Sequence, residues 1–600
     1  MREGKWSPSI ALLLSLALPL ASLGAQPAVD VFYGRLFFRV APPDSTLEAQ
    51  VEWHFKGAVG DTLIWDVGRG LVIESIEASF AVAQVWRDEG RRKLYLQVDT
   101  PLTGQPEWIR VRYKGIPQAT GFGSYEVQQH ATGWVVWTLS QPYGAPDWLL
   151  CKDGLGDKVD SLDICISTPD TLIGVANGKL IADTLDSQGW RWRHFRHRYP
   201  IVPYLIAFAA SNYVIQAYAV QTSHGQFVLR NYVFPQDTAT ARRLSEQFLP
   251  YFRWLETRLG AYPFADEGYN QVQIGWRGGM EHQTITFFGS YSLELWAHEL
   301  AHQWFGDWVT CGSWQDIWLN EAFGTYLGGT VYEALAPEWW PKWVRSMVKH
   351  SWRDTAHTIY VEDTTDVWRI FHYPTTYAKA ALALHTLRAY VGDSLFWAGL
   401  RLYLQRYARG FARTPDFERM AQEIWGEAVA RHFVNSWIHT AHYPRAQVRW
   451  PDPKTCIVQP SLPYPLFLVL YVSTITGEKD SVVIDFLQGE RRIGFPAPIL
   501  RWEVDPDTLL PYWAERYGVV PAREVRIYPN PFSRFLYLSM PGLEQVELWD
   551  RTGRLLLAKD ALFEQMVLEE ELSSLPAGCY FLWLKGKGTW QTFPVIRASP

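Results

Sequence analysis

The stretch WAHELAHQWFGDW, residues 296–308, limits the fold more than any other. It holds His298, Glu299 and His302 in the spacing H-E-x-x-H. On a helix the two histidines stand at i and i+4, so both rings leave one face about a turn apart. Ser292 before the run and Gly306 after it suit the two ends of such a helix. Two imidazoles so placed form half of a tetrahedral metal shell. A catalytic site needs a third protein ligand and leaves one position for water. Glu299 then stands where a base for that water would be. The motif alone also occurs in unrelated proteins, where two histidines simply fall one turn apart. The rest of the chain has to decide between these readings.

The third ligand comes downstream. WQDIWLNEAFGTYL reads as a second helix, with Glu321 nineteen residues beyond His302. The intervening DWVTCGSW is a turn that lets this helix run back beside the first and present a carboxylate. His298, His302 and Glu321 make the His₂Glu set of a catalytic zinc site.

HELAHQWFGDWVT followed by WLNEAF resembles the aminopeptidase N family of zinc peptidases, peptidase family M1. GGMEH, residues 278–282, resembles that family's G-x-M-E-N motif, and TTYAKAAL, residues 375–382, its Y-x-K-G-A segment. Further upstream, QPYGAPDWLLCKDGLGDKVD resembles the family's segment that begins at a substrate-lining glutamine. The likeness covers roughly residues 30–515. It implies one Zn²⁺ per chain on His298, His302 and Glu321, with Glu299 as general base for a zinc-activated water and Tyr377 stabilising the oxyanion. It implies that Glu281 pairs with the free α-ammonium of a peptide, and that Gly278, Gly279, Met280 and Gln141 also bind substrate. Taken without the resemblance, Gln141 reads as a strand-end glutamine and Tyr377 as a core aromatic. Two positions depart from the family pattern: His282 stands for the usual Asn, and Ala380 for the usual Gly after Lys379.

The expected function is therefore hydrolysis of the amino-terminal residue from peptides. Two rivals stay open. One is a zinc endopeptidase, because no long helical carboxy-terminal domain follows to roof the cleft. The other is a non-catalytic binding scaffold on the same fold. Nucleic acid is excluded as a partner by a net charge of −6 and by the lack of a Lys/Arg-dense run.

Six hundred residues call for several cores, at roughly 150 residues per domain. Residues 1–25 carry Arg2 and Lys5, an apolar run and then small residues, the layout of a secretory signal peptide. That run is shorter than the ~20 residues of a membrane span, and no later segment reaches this length without charges. Residues 26–215 read as a β-domain, with short runs such as LYLQV, IRVRY and LDICIS. From about residue 240 the period becomes helical, and ARRLSEQFLPYFRWLETRLG is amphipathic and ends on Gly260. With the resemblance, this implies a multidomain α+β chain with a thermolysin-like, mainly helical catalytic domain at 216–445 and a small β-domain at 446–520.

Residues 521–600 alternate as a small β-sandwich with a hairpin turn at Asp550–Gly553. YPNPF, DRTGR and LPAGCYFL, in that order, are similar to the carboxy-terminal sorting domain of the type IX secretion system. That implies contact with secretion machinery and release from, or display on, the outer surface of a Gram-negative bacterium. Export permits disulfides. A Cys151–Cys165 bridge stays open, while most of the five cysteines read as buried thiols. The 31 tryptophans read as core packing.

Overall fold

The chain is described here by a computed structural model. It covers residues 29–598, except 121, 223, 444, 453, 462–465, 475–477, 497–498, 505–516, 520–525, 531, 533–534, 541, 562–564, 570–571, 573 and 587–588. The expected signal peptide at 1–25 lies outside the described residues.

Two compact units arise. The first comprises residues up to 351, 359–385 and 391–425. It begins with a seven-stranded sheet in the order Lys179–Leu185, Trp190–His197, Ser161–Pro169, Asp30–Arg39, Leu47–Lys56, Glu107–Gly115, Leu71–Ala78. Period-two alternation explains its buried face. Leu36 and Phe38 lie opposite Val51 and Ala49, and all four are buried. A four-stranded sheet, Tyr125–His130, Gly133–Thr138, Phe208–Ser211 and Ile173–Ala176, brings Phe208 against this face. Phe208 stacks on Phe38 at 5.2 Å between ring centroids and meets the Trp148 edge at 5.4 Å. The Trp148 indole is satisfied by Ser140 Oγ at 2.9 Å. Trp53, Trp65, Trp137 and Trp148 are all fully buried, so these aromatics are packing residues.

A five-stranded mixed sheet follows, in the order Val214–Thr222, Gly225–Val233, Tyr269–Gln273, Ile285–Phe288, Gly279–Met280. Its last member is a two-residue edge strand. Helix α1, Thr238–Leu259, buries Phe248, Tyr251, Phe252 and Leu255 at helical spacing. Helix α2, Leu293–His302, starts at Ser292, whose side chain accepts from the Leu295 N–H at 3.3 Å. Helix α3, Trp318–Leu335, packs along α2.

The second unit comprises 352–358, 386–390 and 426–600. The helical stretches Glu427–Phe433 and Val434–Ile438 belong to this unit, whereas the sequence led us to place a boundary near 445. Between Arg445 and Val519 two small sheets enclose a core that includes Val458, Leu468, Leu470 and Trp502. Between Arg526 and Arg597 a three-stranded and a four-stranded sheet enclose a separate core of Leu538, Val546, Leu548, Leu582 and Leu584. The hairpin turn closes through the Gly553 N–H to Asp550 O at 3.1 Å.

Cys151 and Cys165 are free thiols, as are Cys311, Cys456 and Cys579. Cys165 lies on the strand paired with Asp30–Arg39, opposite Phe37. Cys151, Cys311 and Cys456 are buried and Cys579 is exposed.

Phe208→Ala removes the ring shared by Phe38 and Trp148 and is expected to cost about 3–5 kcal/mol. The loss would be read as a lower urea midpoint in tryptophan fluorescence. An unchanged midpoint would mean that this cluster does not hold the two sheets together.

Candidate metal centre

Helices α2 and α3 approach closely because α3 is bare where they touch. A Cβ on Gly324 would stand 2.5 Å from His302 Nε2 and 3.1 Å from His298 Cε1. With glycine there, His298 Nε2 and His302 Nε2 are 3.0 Å apart. Glu321 Oε2, from the first turn of α3, lies 3.5 and 3.4 Å from them. A tetrahedral ion with bonds of about 2.0–2.1 Å keeps its donors about 3.3 Å apart, so the trio fits zinc. Glu321 Oε2 is buried and makes no hydrogen bond, so it is left with an acceptor to satisfy. His302 Nδ1 lies 2.9 Å from Phe305 O. That carbonyl claims a proton on Nδ1 and turns the Nε2 lone pair toward Glu321 and His298.

The electrostatics are those of buried groups balancing each other. Burial would raise the Glu321 carboxyl, but the two imidazoles hold it down to about 2. Burial opposes the charged form of His302, yet Glu281, Glu321 and Glu299 together push its pKa well up. Three carboxylates and two imidazoles are thus gathered in one site, a donor set that would suit a dication.

Glu299 is 3 % exposed, and its Oε2 also has no hydrogen-bond partner. Burial, reinforced by Glu281 and Glu321, pushes its carboxyl well up despite the nearby His302. It packs on the edge strand, where a Cβ on Gly279 would collide with Glu299 Oε1. The same strand leads into Glu281. That carboxyl is 3 % exposed, accepts from Gln141 Nε2 at 3.1 Å, and is raised chiefly by burial. Gly278 and Gly279 are partly exposed. Met280 is only 2 % exposed.

Tyr377 sits in a π-helical turn, Tyr373–Lys379, that widens the chain just before a helix starts at Ala380. Its ring stacks on His298 at 6.2 Å and on Tyr373 at 5.7 Å. Burial, with Glu321, Glu281 and Glu299 nearby, pushes its phenol well up, so the proton stays on.

His282, the departure from the family's Asn, is fully buried with both ring nitrogens unpartnered. Burial takes its pKa down to about 3, so the ring is neutral. It packs edge-on against Phe287 at 4.6 Å and acts as an apolar filler. The backbone around it is kept, because His282 O accepts from the Ile285 N–H at 2.9 Å.

Three contributors escaped sequence reasoning. Gln303 follows His302 directly and binds the Glu281–Thr284 turn. Lys158 Nζ donates to Asp307 O at 2.9 Å, pinning the turn beyond α2, although burial brings its ammonium down to about 7. Gly324 could have been found, since small residues four apart (Gly324 and Gly328) on a helix mark a close approach.

Residues 290–437 match the peptidase family M1 domain, and residues 526–596 match the secretion system C-terminal sorting domain. The chain is 32% identical over 210 residues to the leucyl aminopeptidase of Saccharolobus solfataricus, covering 33% of this chain and 26% of that protein. It is 35% identical over 162 residues to the aminopeptidase N of Lactococcus lactis subsp. cremoris, covering 26% and 19%. The match thus spans about a quarter or less of these relatives. The M1 zinc metallopeptidase from Deinococcus radiodurans superposes with a TM-score of 0.58 at 23% identity, covering 69% of this chain and 94% of that one. A two-domain M1 zinc metallopeptidase bound to L-tryptophan gives the same score, covering 69% and 96%. At that identity the likeness speaks for the fold. The chain thus carries a domain that matches peptidase family M1 at residues 290–437 and one that matches the secretion sorting domain at residues 526–596.

Proposed function

We propose that the protein is an exported zinc aminopeptidase that releases the amino-terminal residue of peptides. One observation carries this reading. A strand edge that packs on Glu299 leads into a further buried carboxylate, Glu281, beside a trio suited to zinc. The names of the aminopeptidase relatives support it.

Zinc on His298, His302 and Glu321 supplies Lewis-acid polarisation and brings the ionisation of water down toward pH ~7. Glu299 accepts the proton of the attacking water and returns it to the leaving amine. Its raised proton affinity suits both halves of that task. Tyr377 keeps its hydroxyl proton and donates to the oxyanion that forms on the scissile carbonyl. Glu281, whose carboxyl is hydrogen-bonded by the neutral amide of Gln141, takes the substrate's α-ammonium. An amino-blocked peptide leaves that carboxylate buried and unpaired, at a cost of several kcal/mol. Gln141 holds Glu281 by its second oxygen and orients it.

Export is supported by the sorting domain and by the layout of residues 1–25. We propose passage through a type IX system to the outer surface. Among the described residues no helix is long and apolar enough to cross a membrane.

The test is a panel of free aminoacyl anilides beside their N-acetylated forms, each with chelator and with zinc restored. Cleavage of the free set alone, lost with chelator and regained with zinc, is the expected result. Equal cleavage of both sets would identify an endopeptidase, and no cleavage by zinc-loaded protein would leave a binding scaffold. Within that assay Glu299→Gln should lower kcat by about 10²–10⁴-fold while zinc stays bound. Tyr377→Phe should lower kcat by about 10²–10³-fold with little change in KM, since the phenol acts on the oxyanion. A rise in KM alone would assign Tyr377 to substrate binding.

A further inference from the structure

The turn that carries Glu281 is held in a conformation its own sequence does not favour. Thr284 has φ +67°, a left-handed value that is an outlier for a β-branched residue. Such a residue persists only where its surroundings over-determine it, and here they do. The Thr284 N–H donates to Gln303 Oε1 at 2.9 Å. Gln303 Nε2 donates to Glu281 O at 3.2 Å and to His282 O at 3.4 Å. Gln303 is fully buried and follows His302 directly. One side chain, rooted at the end of the metal helix, therefore ties both ends of the Glu281–Thr284 turn. From the other side Asn177 Nδ2 donates to Gln283 O at 2.7 Å, and the Gly178 N–H donates to Thr284 Oγ1 at 2.8 Å.

The sheet alone does not fix Glu281. Its strand, Gly279–Met280, is two residues long and pairs on one side only. The direct link between the metal helix and the Glu281 backbone is Gln303. We infer that Gln303 is a positioning residue that sets the distance of Glu281 from the metal trio, and with it the register in which a peptide's free amino terminus is held. It touches no substrate; it acts through Glu281. This inference rests on the aminopeptidase reading, for it assigns a cause to the specificity that reading requires.

The experiment compares Gln303→Met, Glu281→Gln and the double variant with the unaltered full-length protein, all zinc-loaded. The measurements are bound zinc and the kcat and KM for free and N-acetylated aminoacyl anilides. Gln303→Met keeps the volume and removes every hydrogen bond of the amide. The expected result is a KM for free substrates raised by about 10–100-fold, a matching fall in the preference for free over acetylated substrates, and unchanged zinc content. In the Glu281→Gln background the same change should add almost nothing, because both act on one interaction.

Equal losses on free and acetylated substrates would overturn the inference, as would loss of zinc or full additivity with Glu281→Gln. Each would mean that Gln303 merely supports the helix. Should Gln303→Met fail to fold, Gln303→Glu carries the same comparison, since it keeps the acceptor for Thr284 and loses the donor to Glu281. An unaltered protein that shows no preference for free substrates would overturn the aminopeptidase reading itself, and this inference with it. That outcome is visible before any variant is made.

Discussion

The site depends on how closely two helices approach. Glu321 belongs to α3 and the two histidines to α2, and their donor atoms converge to 3.0–3.5 Å only because Gly324 has no side chain. A methyl group there would occupy the space of the His302 ring. Because α3 is buried along most of its length, it has little freedom to slide and recover the geometry. The helix pair is thus a rigid element of the kind that holds a catalytic shell to fractions of an ångström.

Closeness has an electrostatic cost, and the surroundings show how it is met. Glu281, Glu299 and Glu321 are each about 2–3 % exposed, and bringing three carboxylates out of water together is unfavourable. Glu321 is compensated by the two imidazoles, while Glu299 and Glu281 are held toward their protonated forms by burial. A dication held by the trio would offset much of this. The strain at Thr284, of order 1–3 kcal/mol, belongs to the same account. Stability is spent here to hold charges where ligands need them, which is why these residues look unfavourable without a ligand.

Sequence periodicity told much of the fold and little of its joints. The runs LYLQV, IRVRY and LDICIS all fall in strands, Lys93–Val98, Glu107–Gly115 and Ser161–Pro169. The amphipathic run ending at Gly260 is α1, Thr238–Leu259. The residues proposed for the metal trio meet in space, because i,i+4 geometry is local and one short turn suffices to return Glu321. What stayed hidden is long-range. Gln303 binds Glu281 across twenty-two residues, and Asn177 binds Gln283 across 106. No spacing rule predicts such contacts. The π-helical turn at Tyr377 was equally silent, since its widened ladder leaves no mark in hydrophobic pattern. His282 could be flagged as a departure, but only its burial against Phe287 shows that an apolar ring can stand where a polar amide is usual.

The carboxy-terminal sandwich illustrates the opposite design. Its core of Leu538, Val546, Leu548, Leu582 and Leu584 is drawn from its own two sheets and is distinct from the core around Leu468 and Trp502. Each side chain that makes up one core is therefore satisfied without the other. A module built this way keeps its core without drawing on that of the β-domain that precedes it. The candidate site makes no such separation. Gln141 comes from the β-rich amino-terminal part, Glu281 from a sheet edge, and the metal trio from two helices, so no segment of the first unit carries the chemistry alone. Independence suits an address that is read once, whereas a site whose charges must be held within ångströms of one another needs a shared, interlocked frame.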